Sequence, residues 1–353
     1  MASLSLELSP ADARATERAI AAVTRARDRL PASWEPLARL LLRSEGVASS
    51  AVELGRAPLE EVAAAEVEPL LTGPSSWVAD NLATVARAVA EAPGDPLSVA
   101  TLLAWHARLM AHADAGQAGR LRESLVWVGG AAPASAAYVG PPPELVPGLL
   151  EDLVAFANRT DLDAVTQAAV AHAQFESIHP FADGNGRLGR VLIAWVVARR
   201  LEVPVPPPFS VFVARDAGGY LSGLTLYRLG QAGAWVRWFA TTLERSANGA
   251  ADLVDAIEAL LAQWRTRAGH GEGRATRTGA TLWRLIELLP AYPVVSSSIV
   301  ARECGVTDEA ARMALHHAAA LGIVEPAALR LPTRGRPTQW WVASEVLALV
   351  ARA

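Results

Sequence analysis

Hydrophobic positions along the chain recur mainly at spacings of three and four, and the periodic stretches are separated by Gly, Pro and Asn. This pattern predicts helices over Pro10–Arg29, Trp34–Val52, Ser76–Ala92, Pro96–Ala113 and Leu145–Asn158. A further helix is expected from Asp161 to Ile178, with Leu162, Val165, Ala169, His172 and Phe175 on one stripe. Leu188, Val191, Leu192, Trp195 and Val196 continue the helical spacing to Arg200, where the run Pro204–Pro208 stops it. Beyond it, helices are expected over Gly218–Leu229, Ala234–Ser246 and Ala250–Arg267. The exception lies between Gly116 and Pro143. There Val126-Trp127-Val128, the pair Gly129-Gly130 and Tyr138-Val139 have the composition of a β-hairpin. Residues Arg265–Gly279 lack periodicity and read as a linker. After it, helices are predicted over Thr281–Leu289, Ser297–Cys304 and Thr307–Leu321, then two short strands within Leu329–Val342 around Arg334-Gly335-Arg336-Pro337. The fold class is mainly α.

Composition narrows the possibilities. The chain is 52% hydrophobic, but the longest strongly apolar run, Val191–Ala198, has eight residues, whereas a bilayer helix needs about 20. No membrane span is therefore expected. Glu7, Asp12 and Arg14 interrupt the N-terminus, so a secretory signal is not expected and the expected location is cytoplasmic. Cys304 is the sole cysteine, which excludes a disulfide framework and a cysteine-based zinc site. A net charge of −4 argues against nucleic-acid binding by the chain as a whole. Lysine is absent, so arginine supplies all the fixed positive charge of the side chains.

The chemistry concentrates in His179-Pro180-Phe181-Ala182-Asp183-Gly184-Asn185-Gly186-Arg187-Leu188-Gly189-Arg190. Gly184 and Gly186 permit backbone dihedrals that let consecutive N–H groups converge on an anion. Asn185 to Arg187 open a predicted helix, where orphan N–H groups and the dipole favour negative charge. Arg187 and Arg190 share a helical face, and planar guanidinium forks suit phosphate oxygens. The segment is expected to bind phosphate.

This string resembles the signature of the Fic (Fido) family: His, any residue, Phe, any residue, Asp or Glu, Gly-Asn-Gly-Arg, two residues, Arg. Every fixed position is met. The run Ala171-His172-Ala173-Gln174-Phe175-Glu176 is also family-like, and the resemblance spans most of residues 1 to 250. It implies a Fic helical bundle with a β-hairpin flap, and transfer of AMP from ATP to a Ser, Thr or Tyr hydroxyl of a protein target. On this resemblance His179 is the general base and Asp183 holds Mg²⁺. Gly184, Asn185 and Gly186 form the anion hole, and Arg187 and Arg190 grip the β- and γ-phosphates. Phe181 packs into the core, and Trp127, Val128 and Gly129 belong to the target-docking flap. His172, on the apolar stripe, reads as a core histidine. Tyr220 and Tyr227 lie where the family presents residues to the nucleobase, and core packing accounts for them equally well.

Many family members carry an inhibitory helix with the pattern Ser or Thr, three residues, Glu, then Gly or Asn. Ser49-Ser50-Ala51-Val52-Glu53 matches its first five positions, with Leu54 departing at the sixth. Ser49 and Glu53 are its expected inhibitory residues, with Glu53 paired to Arg190. Glu45-Gly46 competes, but Leu41 stands where its serine should be. The C-terminal pattern resembles a winged helix-turn-helix. Residues 273–353 carry nine arginines against six acidic residues, and DNA and protein docking are both open for the module, as is a homodimer for the chain. Four regions are expected: 1–80 with the inhibitory helix, 81–250 as the Fic core, 251–272 as helix and linker, and 273–353 as the winged helix. The alternatives are a DNA-binding regulator whose core senses nucleotide, or an enzyme of this type that uses another nucleotide or removes AMP.

Overall fold

The computed structural model describes residues 6–29, 45, 48–50, 74–129, 131–269, 277–327 and 338–352. Helix α1 spans Pro10–Arg29, with acidic Asp12 in its first turn and Arg27 and Arg29 in its last, the charge order its dipole favours. Its buried side is Ala15, Ala19, Ala22, Val23 and Ala26. These small residues let it lie close along α9, Ala232–Gly269.

The centre is an antiparallel helix pair, α5 (Ala164–Ile178) and α6 (Asn185–Leu201). Asp163 caps α5, its carboxylate accepting the N–H groups of Val165 and Thr166. Buried residues number 13 of 15 in α5 and 14 of 17 in α6. The expected single stripe is therefore only part of what is covered, because neighbours pack on every side. Those neighbours are α2 (Pro74–Glu91), α3 (Val99–Leu109), α4 (Val146–Ala157), α1 and α9. Strands β1 (Trp127–Val128) and β2 (Tyr138–Val139) form the expected hairpin between α3 and α4, antiparallel with Trp127 opposite Val139 and Val128 opposite Tyr138. Two short helices, α7 (Phe209–Arg215) and α8 (Ala217–Arg228), follow α6. The sequence pattern missed α7, which starts directly after the proline run.

Two corrections concern α9. The pattern predicted separate helices broken at Asn248-Gly249, but α9 runs unbroken for 38 residues. Its buried face continues through Leu243, Ala247, Ala250 and Val254, and this outweighs the roughly 1 kcal/mol penalty of a helical glycine. The first residues of the expected linker, Arg265 to Gly269, are likewise helical.

The second half of α9 belongs to a different core. Leu253, Ile257, Leu261 and Trp264 pack with α10 (Arg277–Leu288), α11 (Ser297–Cys304), α12 (Asp308–Ala320) and α13 (Ser344–Arg352). Three strands complete this module: β3 (Val294–Val295), β4 (Glu325–Ala327) and β5 (Trp340–Val342), antiparallel in the order β3-β5-β4. Of the two strands expected within Leu329–Val342, β5 falls in that range, residues 328–337 lie outside the described residues, and β3, β4 and α13 were not foreseen in the sequence pattern. No helix among the described residues is long and apolar enough to cross a membrane.

Candidate active site

Helix α5 ends at His179, whose φ of 49° and ψ of 62° are left-handed, uncommon for a residue with a Cβ. Its N–H still reaches Phe175 O at 2.9 Å, and Pro180 then stops the helix. The loop turns back to Gly184, φ 77°, which caps α6. A Cβ there would lie 3.0 Å from Met110 Sδ, so both the dihedral and the space call for glycine. The side chain of Asn185 closes the loop on itself: Oδ1 accepts the Phe181 N–H and Nδ2 donates to the Phe181 carbonyl, both at 2.9 Å. The Phe181 ring is fully buried, as expected, and stacks on His106 with centroids 3.7 Å apart. His106 Nδ1 accepts the Gly119 N–H at 2.9 Å. Its proton therefore sits on Nε2, which donates to the Asp183 carbonyl at 3.0 Å. Burial pushes the His106 pKa down and keeps this ring neutral.

The charged residues differ in burial. The Asp183 side chain is 65% exposed, with Oδ1 accepting the Gly184 N–H at 2.6 Å and Oδ2 3.5 Å from Arg187 Nη2. Arg187 is wholly buried, and its Nη2 also lies 3.6 Å from Met110 Sδ. Arg190 is buried too. Its Nε donates to Ser49 Oγ at 2.9 Å and its Nη2 to the Ser49 carbonyl at 2.7 Å. Residue 45 and residues 48–50 are helical. Glu45, one turn before Ser49, is buried and accepts both the N–H of Ser210, at 2.7 Å, and its hydroxyl. Burial raises the Glu45 pKa, and the Arg190 charge works against that rise. Glu53 lies outside the described residues, as does most of the expected helix over Trp34–Val52.

Beneath the loop, Glu176 Oε2 is 3.9 Å from His179 Nδ1. His172 is fully buried, with Nε2 2.8 Å from the Tyr220 hydroxyl and its ring stacked on Trp235. Burial pushes its pKa down to about 3. It is a neutral core histidine, as the apolar stripe indicated. Tyr227 is half-buried with its hydroxyl 3.3 Å from Gln174 Oε1, and burial pushes its pKa up to about 12.

These pieces surround a cleft of about 350 Å³. His179, Asp183, Gly184, Asn185, Gly186 and Arg190 line one side, and Val128 of the hairpin lies with Tyr220, Leu221, Leu224 and Arg228 of α8 on the other. Arg187 sits behind this surface. Trp127 is 41% exposed on β1, and Gly129, with φ 72°, begins the turn. Tyr138 ties the hairpin down: its hydroxyl donates to Ser177 O at 2.5 Å and its ring lies 3.8 Å from the Arg228 guanidinium. Of the two carboxylates that line the cleft, Glu176 is buried and Asp183, beside the glycine loop, is exposed. One exposed carboxylate fits a hard cation such as Mg²⁺, which takes its other ligands from nucleotide and water.

A family model described as the Fic/DOC family matches residues 96–197, the stretch that builds α3, the hairpin, α4, α5, the loop and most of α6. The matched residues are similar to a Fic domain. Protein adenylyltransferase fic-1 of Caenorhabditis elegans is 33% identical over 155 residues, 43% of this chain and 28% of that protein. Protein adenylyltransferase Fic of Drosophila willistoni is 30% identical over 181 residues, 49% of this chain and 34% of that one. The chain thus spans about a third or less of the length of these curated relatives. A Fic family protein from Desulfovibrio desulfuricans G20 shares the fold across 96% of this chain and 97% of its own, with a TM-score of 0.58 at 21% identity.

The loop from His179 to Gly184 depends on residues that the sequence pattern did not single out. Arg122 and His106 both hold its backbone, by side-chain bonds to the carbonyls of His179 and Asp183. Arg122 resembles Arg120 in sequence, yet Arg120 has a 68% exposed side chain and Arg122 is buried. Only the fold separates them.

Proposed function

We propose that the chain is a protein adenylyltransferase that moves AMP from ATP onto a Ser, Thr or Tyr hydroxyl of a protein target. The observation that carries this reading is a single cleft that gathers His179, Asp183, the Gly184–Gly186 turn and Arg190 beneath an exposed hairpin. The names of the curated relatives support it. With Nδ1 turned toward Glu176, His179 Nε2 takes the target's hydroxyl proton, and the Glu176 carboxylate favours the imidazolium that forms. The hydroxyl oxygen bonds to the α-phosphorus, the bond to the bridging oxygen breaks, and pyrophosphate leaves. N–H groups at the start of α6 and the Arg190 guanidinium face the phosphates. Asn185 contributes its backbone N–H, since its side chain is bonded to Phe181. Arg187 acts from behind by holding Asp183. When bound on Asp183, Mg²⁺ supplies charge neutralisation to the phosphate oxygens.

The same reading includes a brake. Ser49 already occupies Arg190, and Glu53, four residues on, is the residue that would pair with this arginine and hold ATP in an unproductive pose. The C-terminal module, read as a winged helix-turn-helix, has Asp308 and Glu309 at the exposed start of α12, with Arg312 paired to Glu309. Those charges fit protein docking better than phosphate contact through that helix.

Incubation with Mg²⁺ and ATP labelled at the α-phosphate tests the proposal. Glu53→Gly is expected to label itself or a target more than the unaltered protein does, and the Glu53→Gly/His179→Ala double variant not at all. Label arriving only from the γ-phosphate would identify a kinase instead. ATP binding with no transfer, together with a salt-dependent gel shift of the full chain, would favour a nucleotide-sensing DNA regulator.

A further inference from the structure

Arg122 is 4% exposed, and every hydrogen bond its side chain donates goes to a main-chain carbonyl. Nε bonds His179 O at 2.8 Å, and Nη2 lies 3.3 Å from Ile178 O. These are the last carbonyls of α5, orphaned because the helix stops, and they form the negative end of its dipole. Nη1 bonds Ser124 O at 2.8 Å and Nη2 bonds Pro141 O at 2.5 Å. Ser124 precedes β1 and Pro141 follows β2, so one guanidinium grips both rails of the hairpin. The Arg122 N–H also bonds Pro180 O at 3.0 Å. Three successive peptides, those with the carbonyls of Ile178, His179 and Pro180, are thus held by one residue, and the first two flank the left-handed corner at His179. Gly140 leaves room for this grip: a Cβ there would meet Arg122 Nη2 at 3.2 Å and Val126 Cγ2 at 3.1 Å.

We propose that Arg122 is a positioning residue that sets the hairpin and the imidazole of His179 in one register, so that a target segment docked on the hairpin meets the base at a fixed offset. A planar fork with five N–H groups can reach four carbonyls on three segments, and an ammonium group cannot. The role of the base rests on the adenylyl-transfer reading above, while the mechanical link does not.

The test therefore combines a turnover readout with one that needs no turnover. In the Glu53→Gly background, Arg122→Lys is expected to keep ATP affinity within about twofold, because the phosphate-facing groups sit on α6. Its transfer rate should fall at least tenfold and the KM for the protein target should rise. By hydrogen exchange the amides of Ala137 and Gly140, which bond Val128 O and Val126 O, should exchange at least tenfold faster. The amides of α5 and α6 should be unaltered, and the His179 ring resonances should move. Gly140→Ala, which leaves the charge in place, should show the same pattern more weakly and serves if Arg122→Lys does not fold. Unchanged hairpin exchange and unmoved His179 resonances would overturn the proposal, as would parallel loss of ATP binding, transfer and protection throughout α5 and α6. If the Glu53→Gly protein itself transfers nothing, the adenylyl-transfer reading fails, and exchange and resonance data still decide the link.

Discussion

At Gly189 the two central helices approach so closely that one added methyl group has nowhere to go. A Cβ there would lie 2.5 Å from Glu176 Oε1 and 3.0 Å from the His172 ring. Gly189→Ala should lower stability by about 1–3 kcal/mol and displace Glu176 from beneath His179. Thermal denaturation would check this, and an unchanged midpoint would show that α5 and α6 can separate freely. His172 gives the site a pH signature. Its folded pKa, about 3, lies below its ordinary 6.5 because burial disfavours the imidazolium. A depressed histidine stabilises the fold fully above pH 6.5, and that contribution is lost as pH falls toward 3, at up to about 1.4 kcal/mol per unit. His106 shifts the same way, and Glu45, whose pKa is raised, opposes them near the acid end. The melting temperature should fall from pH 6.5 to pH 4, and His172→Gln should be less stable at pH 7 but flatter across that range. A flat profile for the unaltered protein would sink this assignment. At this scale the sequence was most legible where residue type limits chemistry. Gly184, Asn185, Asp183 and His179 announce themselves together. Arg122 and His106 do not, because what marks them is burial beside a backbone that is distant in sequence.

Among the elements, end positions followed local rules closely. Helix α1 has the charge order that its dipole favours at both ends, and α11 begins after Ser296, whose hydroxyl accepts the Ile299 N–H. The misreading of α9 has a tertiary cause: Asn248-Gly249 is a turn signal in isolation, and here two hydrophobic cores press on opposite ends of one helix. The same balance of propensity against packing yields a prediction in α4, where Gly148 is exposed and a Cβ would meet nothing within 4 Å. Gly148→Ala should stabilise the protein by roughly 0.5 kcal/mol, seen as a small rise in the denaturation midpoint. A fall would mean that the first turn of α4 needs glycine for a reason other than space.

For the molecule as a whole, α9 is the shared beam. Its first half buries Trp235, Phe239 and Leu243 against the core around α5 and α6, and its second half buries Leu253, Ile257, Leu261 and Trp264 against the C-terminal module. Trp264 Nε1 also donates to Glu345 in α13. Deleting residues 277–353 should leave that second stripe in water, so the truncated chain should bind a hydrophobic dye and self-associate. A monomeric, dye-silent product would show that the module is dispensable for solubility. The pattern gave both halves as helices, over Ala234–Ser246 and Ala250–Arg267, but not their continuity, and it placed a linker from Arg265 onward.

The paired bonds between Asn185 and Phe181 carry a consequence for ligand capture. Because a side-chain amide imitates a strand partner and locks the loop from within, the entropy of ordering the glycine turn is spent when the chain folds, not when an anion arrives. The turn is preorganised, and polyphosphate should associate without waiting for it to rearrange.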